Sequence, residues 1–140
     1  MINKPMLAHK FNGDRVDWSQ PVYIQSKLDG VRCLFTKDGA YSRTGKKFMN
    51  LKHIEMALKP WFESQPDVIL DGELYNHELK NNFEKIISLV RKQKPTTEDR
   101  LEARKLVQFH VYDYFDGVQY DSYKARMNNL VASDIYHYCI

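Results

Sequence analysis

Lys27, Asp29 and Arg32 are the residues of this chain whose types and spacing most directly suggest chemistry. They belong to the run Lys-Leu-Asp-Gly-Val-Arg, in which the lysine stands just before a glycine turn. A lysine becomes a nucleophile only after losing its proton, and desolvation or nearby positive charge favours that loss. Arg32 could supply the charge, Asp29 could help to hold a metal ion, and Gly30 lets a phosphate approach the backbone. The same residues would also suit an ordinary β-hairpin with an Asp-Gly turn and surface charges.

The elements that must position these residues follow from the hydrophobic pattern. Alternation and turn residues predict five strands, at 22–27, 31–37, 41–43, 68–75 and 107–115. Helical periodicity predicts four helices, at 51–58, from Asn81 or Asn82 through Val90, at 97–104 and at 122–131. Asn50 is expected to cap the first helix and Pro60 to limit it. The predicted fold class is therefore α+β, with antiparallel sheets and flanking helices.

The composition is that of one globular domain. The chain has 140 residues, of which 43% are hydrophobic and 13% aromatic, enough to build a core. No run approaches the roughly 20 apolar residues of a membrane span, and the N-terminus lacks a signal-peptide core, so we expect a cytoplasmic protein with no membrane contact. The net charge of +3 is compatible with nucleic-acid binding without arguing for it. The histidines have no metal-ligand spacing.

Four separated segments resemble the motifs of the covalent nucleotidyltransferases, which comprise ATP-dependent DNA ligases, RNA ligases and mRNA capping enzymes. The segments are Lys27 to Arg32 (the nucleotide-accepting motif), Ser42-Arg43-Thr44-Gly45 (the second motif), Asp71-Gly72-Glu73 (the third) and Val111-Tyr112-Asp113 (the aromatic motif). Each match is weak alone, but chance would have to produce all four in this order and context. Pro5-Met6-Leu7-Ala8 is similar to a lead-in of small DNA ligases, and the resemblance extends to about Arg126.

Among these enzymes, the ATP-dependent DNA ligases fit best. The motif ends in arginine, and Ser-Arg-x-Gly follows it, as in DNA ligases; capping enzymes share only the first feature. The resemblance implies that the Lys27 amine attacks the α-phosphorus of ATP and forms a lysine–AMP intermediate. The AMP then passes to the 5′-phosphate at a nick in double-stranded DNA, and the neighbouring 3′-hydroxyl displaces it.

The nucleotide-binding roles also come from the resemblance. Gln25 would read the adenine edge, Leu28 would contact the nucleotide within the motif, and Tyr112 would stack on the adenine. Arg32 and Arg43 would hold the ribose and phosphates, and Arg43 also the 5′-phosphate of the nick. Each has a structural alternative, namely a solvent-facing strand residue, a surface arginine or a core tyrosine.

The carboxylates would serve the ribose and the metal. Glu73 would contact a ribose hydroxyl or Mg²⁺, and Asp29 would support metal binding or help to activate the 3′-hydroxyl. Tyr114 alternates onto the same face as Tyr112 in a regular strand, so the stacking residue could be two positions later. Lys46, with neighbouring lysines, could meet DNA phosphates or simply be solvated.

The family pattern also contains parts that do not follow Tyr112 here, namely a glutamate strand, a strand with a lysine pair, and an OB-fold domain. We therefore expect residues 1–140 to be a single, C-terminally truncated adenylation domain, an incomplete nucleotidyltransferase fold of ATP-grasp-like type. Such a chain should seal nicks poorly or not at all, and a separate C-terminal ligase chain is a candidate partner. The aromatic run at 134–140 is typical of an element that continues.

Two alternatives stay open at the level of sequence. The chain could be a non-catalytic remnant that binds nucleotide or DNA without transferring anything. It could also be an RNA ligase or a capping-type enzyme, which share the lysine chemistry and differ in the substrate that accepts the nucleotide.

Overall fold

A four-stranded antiparallel sheet lies at the centre of the fold in the computed structural model, which describes residues 5–117 and 122–132. The strands are β1 (Val31–Thr36), β2 (Gly39–Tyr41), β3 (Ile69–Tyr75) and β4 (Gln108–Phe115), in the order β2-β1-β3-β4. The helices are α1 (Lys52–Ser64), α2 (Phe83–Val90), α3 (Thr97–Leu106) and α4 (Tyr123–Ala132). The predicted α+β class with an antiparallel sheet is confirmed.

One face of the sheet builds the hydrophobic core. Phe35 of β1, Leu70 and Leu74 of β3 and Phe109 of β4 are each at most 1% exposed, and they pack with buried residues of all four helices. Because side chains alternate along a strand, the residues between them face the other way. In β1 and β3 those residues include Arg32, Asp71 and Glu73, so these three residues of the predicted motifs lie on the polar face of the sheet.

A β-bulge interrupts the alternation of β4. Asp71 pairs with Asp113, whereas the next residue, Gly72, pairs with Val111, so Tyr112 is the extra residue in the ladder. A bulge places two residues opposite one and changes the side toward which the following side chains point. Gly72 is needed here, because a Cβ at this position would clash with the carbonyl oxygen of His110.

The predicted strand at 22–27 is wrong. Residues 21–29 have no regular secondary structure, and the described sheet begins at Val31. Tyr23 and Ile24 are 57% and 90% exposed, and the side chain of Gln25 donates a hydrogen bond of 3.2 Å to the backbone oxygen of Tyr112 in β4. Alternation is typical of a half-buried strand, but a segment becomes a strand only when its backbone bonds to a neighbouring strand.

Helix α1 also differs from the prediction at both ends. It continues past Pro60 to Ser64, and burial of Trp61 and Phe62 in the core compensates for the missing backbone donor. Asn50 does not cap the helix. Its side-chain amide is buried and donates to the backbone oxygens of Leu89 and Asp99, thereby connecting the start of α1 to α2 and α3.

Helix α4 closes over the outer edge of the sheet. Arg126 bonds to Asp113 of β4 at 2.8 Å, and Leu130 joins the core. No helix within the described parts of the chain is both long and apolar enough to cross a bilayer. The aromatic run at 134–140 lies outside the described residues.

Candidate active site

A cleft of about 680 Å³ brings together three of the residues that the sequence marks as functional. Arg32 and Glu73 reach it from the polar face of the sheet, and Arg43 reaches it from the loop after β2. Gly30 lies at its edge. These residues are far apart in sequence, so their meeting at one cleft is a property of the fold. A second concavity, between β1 and α1, contains none of the predicted site residues.

Arg32 is held in place by the protein itself. Its Nε and Nη2 donate to the two carboxylate oxygens of Asp71 at 3.0 and 2.6 Å, and Nη1 donates to the backbone oxygen of Met6 at 2.6 Å. Burial raises the pKa of Asp71, and the hydrogen bonds and charge of Arg32 oppose that rise. Arg32 could bind a nucleotide through Nη1 by releasing the Met6 carbonyl.

Glu73 is half-buried at the centre of the sheet, opposite Arg32 in the ladder of β1 and β3. Burial raises the pKa of Glu73, while the backbone N–H of Gly30 and the charges of Arg32 and Lys27 lower it. A Cβ on Gly30 would lie 2.6 Å from the Cγ of Glu73, so glycine is required for this close approach. The turn after Lys27 and the carboxylate are thus in direct contact.

Tyr112 lies next to these groups because of the bulge. The guanidinium carbon of Arg32 is 5.9 Å from the centre of the Tyr112 ring. Burial and the neighbouring Asp71 carboxylate raise the pKa of the Tyr112 hydroxyl. Tyr114 points the other way, into the core, where it packs on Trp61 and donates to Gln65. The expectation that Tyr114 shares the face of Tyr112 is therefore wrong, since the bulge reverses the alternation between them.

Lys27 stands outside the cleft. Its side chain is 88% exposed, and its amine lies 3.2 Å from the carboxylate of Asp29, itself 81% exposed. Its charge nevertheless acts on Glu73, so the two groups are within electrostatic reach. Gln25 is exposed beside β4, and Leu28 is half-buried. The structure thus brings together Arg32, Arg43 and Glu73 with Tyr112 beside them, and leaves the motif lysine in solvent.

The loop that carries Arg43 is fixed by its own hydrogen bonds. The backbone N–H of Ser42 donates to the oxygen of Lys46 at 2.8 Å, and that of Gly45 donates back to Ser42 at 2.9 Å. Gly45 has a φ of +83°, a backbone conformation that residues other than glycine rarely adopt. The Ser-Arg-x-Gly motif is therefore a tight turn that presents Arg43 and Lys46 to the cleft.

Arg91 is a cleft residue that the sequence interpretation missed. It follows α2 directly, and Phe83 and Ile87 of that helix line the same wall. The signal was available, because residues spaced by four lie on one face of a helix. Arg91 continues the apolar row formed by positions 83 and 87. A basic residue at the end of such a row indicates that the face is packed at its start and exposed to solvent at its end.

A metal ion would have to rely on substrate oxygens here. Within the described residues, no group of three or more acidic, histidine or cysteine side chains could hold one. Mg²⁺ commonly binds through one or two carboxylates together with phosphates and water, and half-buried Glu73 suits that arrangement. Glu73 therefore fits Mg²⁺ as one ligand among several.

The family follows from comparison of the sequence with known domains. Residues 5–133 match the family model of the ATP dependent DNA ligase domain. The chain belongs to this family. The match includes all of the candidate site residues. None of the curated proteins compared with the chain matches it significantly.

Solved ligase structures share this fold. Two, described as Pmar-Lig_Pre and Pmar-Lig_PreS3, are each 25% identical to the chain, with a TM-score of 0.55, over 79% of this chain and 26% of theirs. A third comes from "DNA binding with a minimal scaffold: Structure-function analysis of Lig E DNA ligases" and is 26% identical, with a TM-score of 0.54, over 79% of this chain and 38% of its own. This ligase domain thus spans between about a quarter and two-fifths of those chains.

Proposed function

We propose that this ligase domain contributes the nucleotide-accepting part of an enzyme that seals nicks in duplex DNA through a lysine–AMP intermediate. The observation that carries the proposal is the convergence of Arg32, Arg43 and Glu73 on one cleft. Each comes from a different motif of the family match, so their proximity supports a shared substrate.

The proposed chemistry has three steps, of which the first two transfer the phosphorus of AMP and the third takes place at the phosphorus of the DNA 5′-phosphate. The neutral amine of Lys27 forms an N–P bond to the α-phosphorus of ATP, the bond to pyrophosphate breaks, and the amine proton goes to solvent. An oxygen of the DNA 5′-phosphate then displaces the lysine, which takes back a proton. Finally the 3′-hydroxyl attacks the activated 5′-phosphate, loses its proton and expels AMP.

The cleft would stabilise charge during these transfers. Fixed cations near a developing phosphoryl charge are usually the largest contribution to such catalysis. Arg43 would hold phosphates, including the 5′-phosphate, and Arg32 would contact the nucleotide through Nη1. Tyr112 would stack on adenine, with Gln25 and Leu28 contacting the base and sugar from the segment beside it.

The acidic residues would manage the metal and the lysine. Glu73, with its raised pKa, would bind a ribose hydroxyl or serve as one Mg²⁺ ligand. Bound Mg²⁺ would neutralise phosphate charge. Asp29 would support the metal or the 3′-hydroxyl after leaving Lys27, because the ion pair must open before the amine can attack.

Lys27 needs further covering elements for efficient transfer. An amine that is 88% exposed is neither desolvated nor held against a phosphate. We therefore propose that residues 1–140 act as an incomplete adenylation domain, with a separate C-terminal ligase chain as the partner that covers Lys27. The setting would be intracellular DNA repair or replication, where ATP and nicked DNA occur together.

Transfer of label from ATP tests the function. The chain is incubated with α-³²P-labelled ATP and Mg²⁺, with and without the C-terminal part of a solved ligase of the family, and separated under denaturing conditions. We expect acid-labile label that Lys27→Ala abolishes and that Lys105→Ala, a change of an exposed lysine on α3, leaves intact. Absence of label under both conditions would contradict the enzyme and favour a non-catalytic remnant. Transfer to RNA ends in preference to nicked DNA would reassign the substrate.

A further inference from the structure

The cleft has a wall of positive charge of which the reaction described above uses only Arg43. Arg43, Lys46 and Arg91 line it, and Glu73 is the one carboxylate among its lining residues. Within the described residues, none of these three cations has a side-chain hydrogen bond or ion pair. By contrast, Arg32 in the same cleft is neutralised by Asp71.

Unpaired cations that share one concave surface attract polyanions. Arg43 and Lys46 belong to the hydrogen-bonded turn after β2, and Arg91 continues the apolar row of Phe83 and Ile87 on α2, which lines the same cleft. Phe83 and Ile87, both half-buried, add apolar surface to the cleft that can pack against sugar rings. At about 680 Å³, the cleft is larger than a single phosphate group requires.

We propose that Arg91 and Lys46 bind backbone phosphates of the DNA strand that occupies the cleft next to Arg43. This inference rests on the proposed ligase function, from which it takes DNA as the polyanion. The triphosphate of ATP has the same chemistry, and it is the alternative occupant. Arginine at position 91 suits the task, since its planar fork binds phosphate oxygens in pairs.

Binding of fluorescent nicked duplex, measured by anisotropy over a salt series, tests the assignment. Each phosphate contact contributes about 0.9 to the slope of log affinity against log salt on duplex DNA. Arg91→Gln should weaken binding about 3- to 10-fold and reduce that slope by about 0.9, and Lys46→Gln should do the same. Arg91→Lys should retain most of the slope, because it keeps the charge. Arg100→Gln, on an exposed part of α3 outside this cleft, is the matched control and should bind like the unmodified chain.

ATP labelling of the same variants identifies the occupant. Arg91→Gln should label Lys27 as well as the unmodified chain does, because its effect is on DNA. Unchanged DNA affinity in Arg91→Gln, an equal loss in Arg100→Gln, or no binding of nicked DNA by the unmodified chain would each overturn the inference. A loss of labelling that matches the loss of DNA binding would move Arg91 to the ATP site. Failure of the ligase function has a different signature, which is the absence of lysine label in the unmodified chain.

Discussion

Asp71 accepts two hydrogen bonds from Arg32 across the sheet, with Nε to Oδ1 at 3.0 Å and Nη2 to Oδ2 at 2.6 Å. The two side chains are only 22% and 15% exposed. The aspartate of the Asp-Gly-Glu motif thus positions the arginine of the lysine motif. This joins two motifs that lie 39 residues apart in the sequence.

Asp71→Asn should reduce the free energy of unfolding. It leaves the Arg32 charge partly buried without its counter-charge, which costs about 1–3 kcal/mol. Glu102→Gln is the control, because it breaks a more exposed ion pair, with Lys85, and should cost less than about 1 kcal/mol. Urea unfolding measures both. Equal stabilities of the two variants would show that the Arg32–Asp71 pair contributes no more than a surface pair.

The raised pKa of Glu73 gives a dependence of stability on pH. The folded protein keeps the Glu73 proton to higher pH than the unfolded chain, whose glutamates titrate near 4.5. Stability should therefore fall as pH rises from about 4.5 through the raised pKa and then level off. Glu73→Gln removes this ionisation, so the variant should gain stability over the unmodified chain in that window and keep the gain near pH 7.5.

Urea unfolding at intervals between about pH 4 and about pH 8 checks this prediction. Glu78→Gln, at an exposed position in the short helical turn after β3, should follow the unmodified chain throughout. If Glu73→Gln were the less stable protein near neutral pH, ionised Glu73 would be stabilising the fold, contrary to the burial argument.

Tyr112 and Tyr114 should separate function from stability. Tyr114→Ala removes a ring that packs on Trp61 and bonds to Gln65, and should cost about 2–4 kcal/mol. Tyr112→Ala should cost less than about 1.5 kcal/mol, because its ring is only half-buried, but should weaken ATP labelling of Lys27. Thermal unfolding and the labelling assay rank the two variants. A reversed ranking in both assays would place Tyr114, not Tyr112, at the nucleotide.

Gly30→Ala should damage the junction between the lysine motif and Glu73. The new Cβ would meet the Glu73 side chain at 2.6 Å and the Leu74 backbone more closely still, so the strands must shift. We expect a loss of about 1–3 kcal/mol together with reduced labelling. Gly13→Ala is the control, since its nearest neighbour would be a Phe11 ring atom at 3.6 Å. Wild-type stability of Gly30→Ala would mean that the approach of β1 and β3 is looser than described.

The local sequence predicted those helices and strands whose buried residues recur at regular spacing. α2, with Ile86 and Val90 on its buried face, and β3, with Leu70 and Leu74, were predicted to within about one residue. Helix α3 begins at the predicted Thr97 and has a complete capping box between Thr96 and Asp99. In each of these cases the information lies within a few neighbouring residues.

The features that sequence could not predict depend on distant partners. The segment 22–27 alternates like a strand, but whether it is one depends on a neighbouring backbone. The extra residue at Tyr112 is visible only when the pairing of β4 with β3 is known. Likewise, the spacing of residues 83, 87 and 91 places Arg91 on one face of a helix, but only the fold brings that face to the cleft that Arg43 also lines.

The extra residue in β4 gives different surroundings to positions 112 and 114, which a regular strand would place on one face. In a regular strand, the side chains of residues 112 and 114 would lie on the same face of the sheet. A substitution at one position would then change the surface around the other. Here Tyr114 packs against Trp61 in the interior, whereas Tyr112 lies beside Arg32 on the polar face of the sheet. A substitution at position 112 can therefore change the surface beside Arg32 while the packing of Tyr114 is preserved.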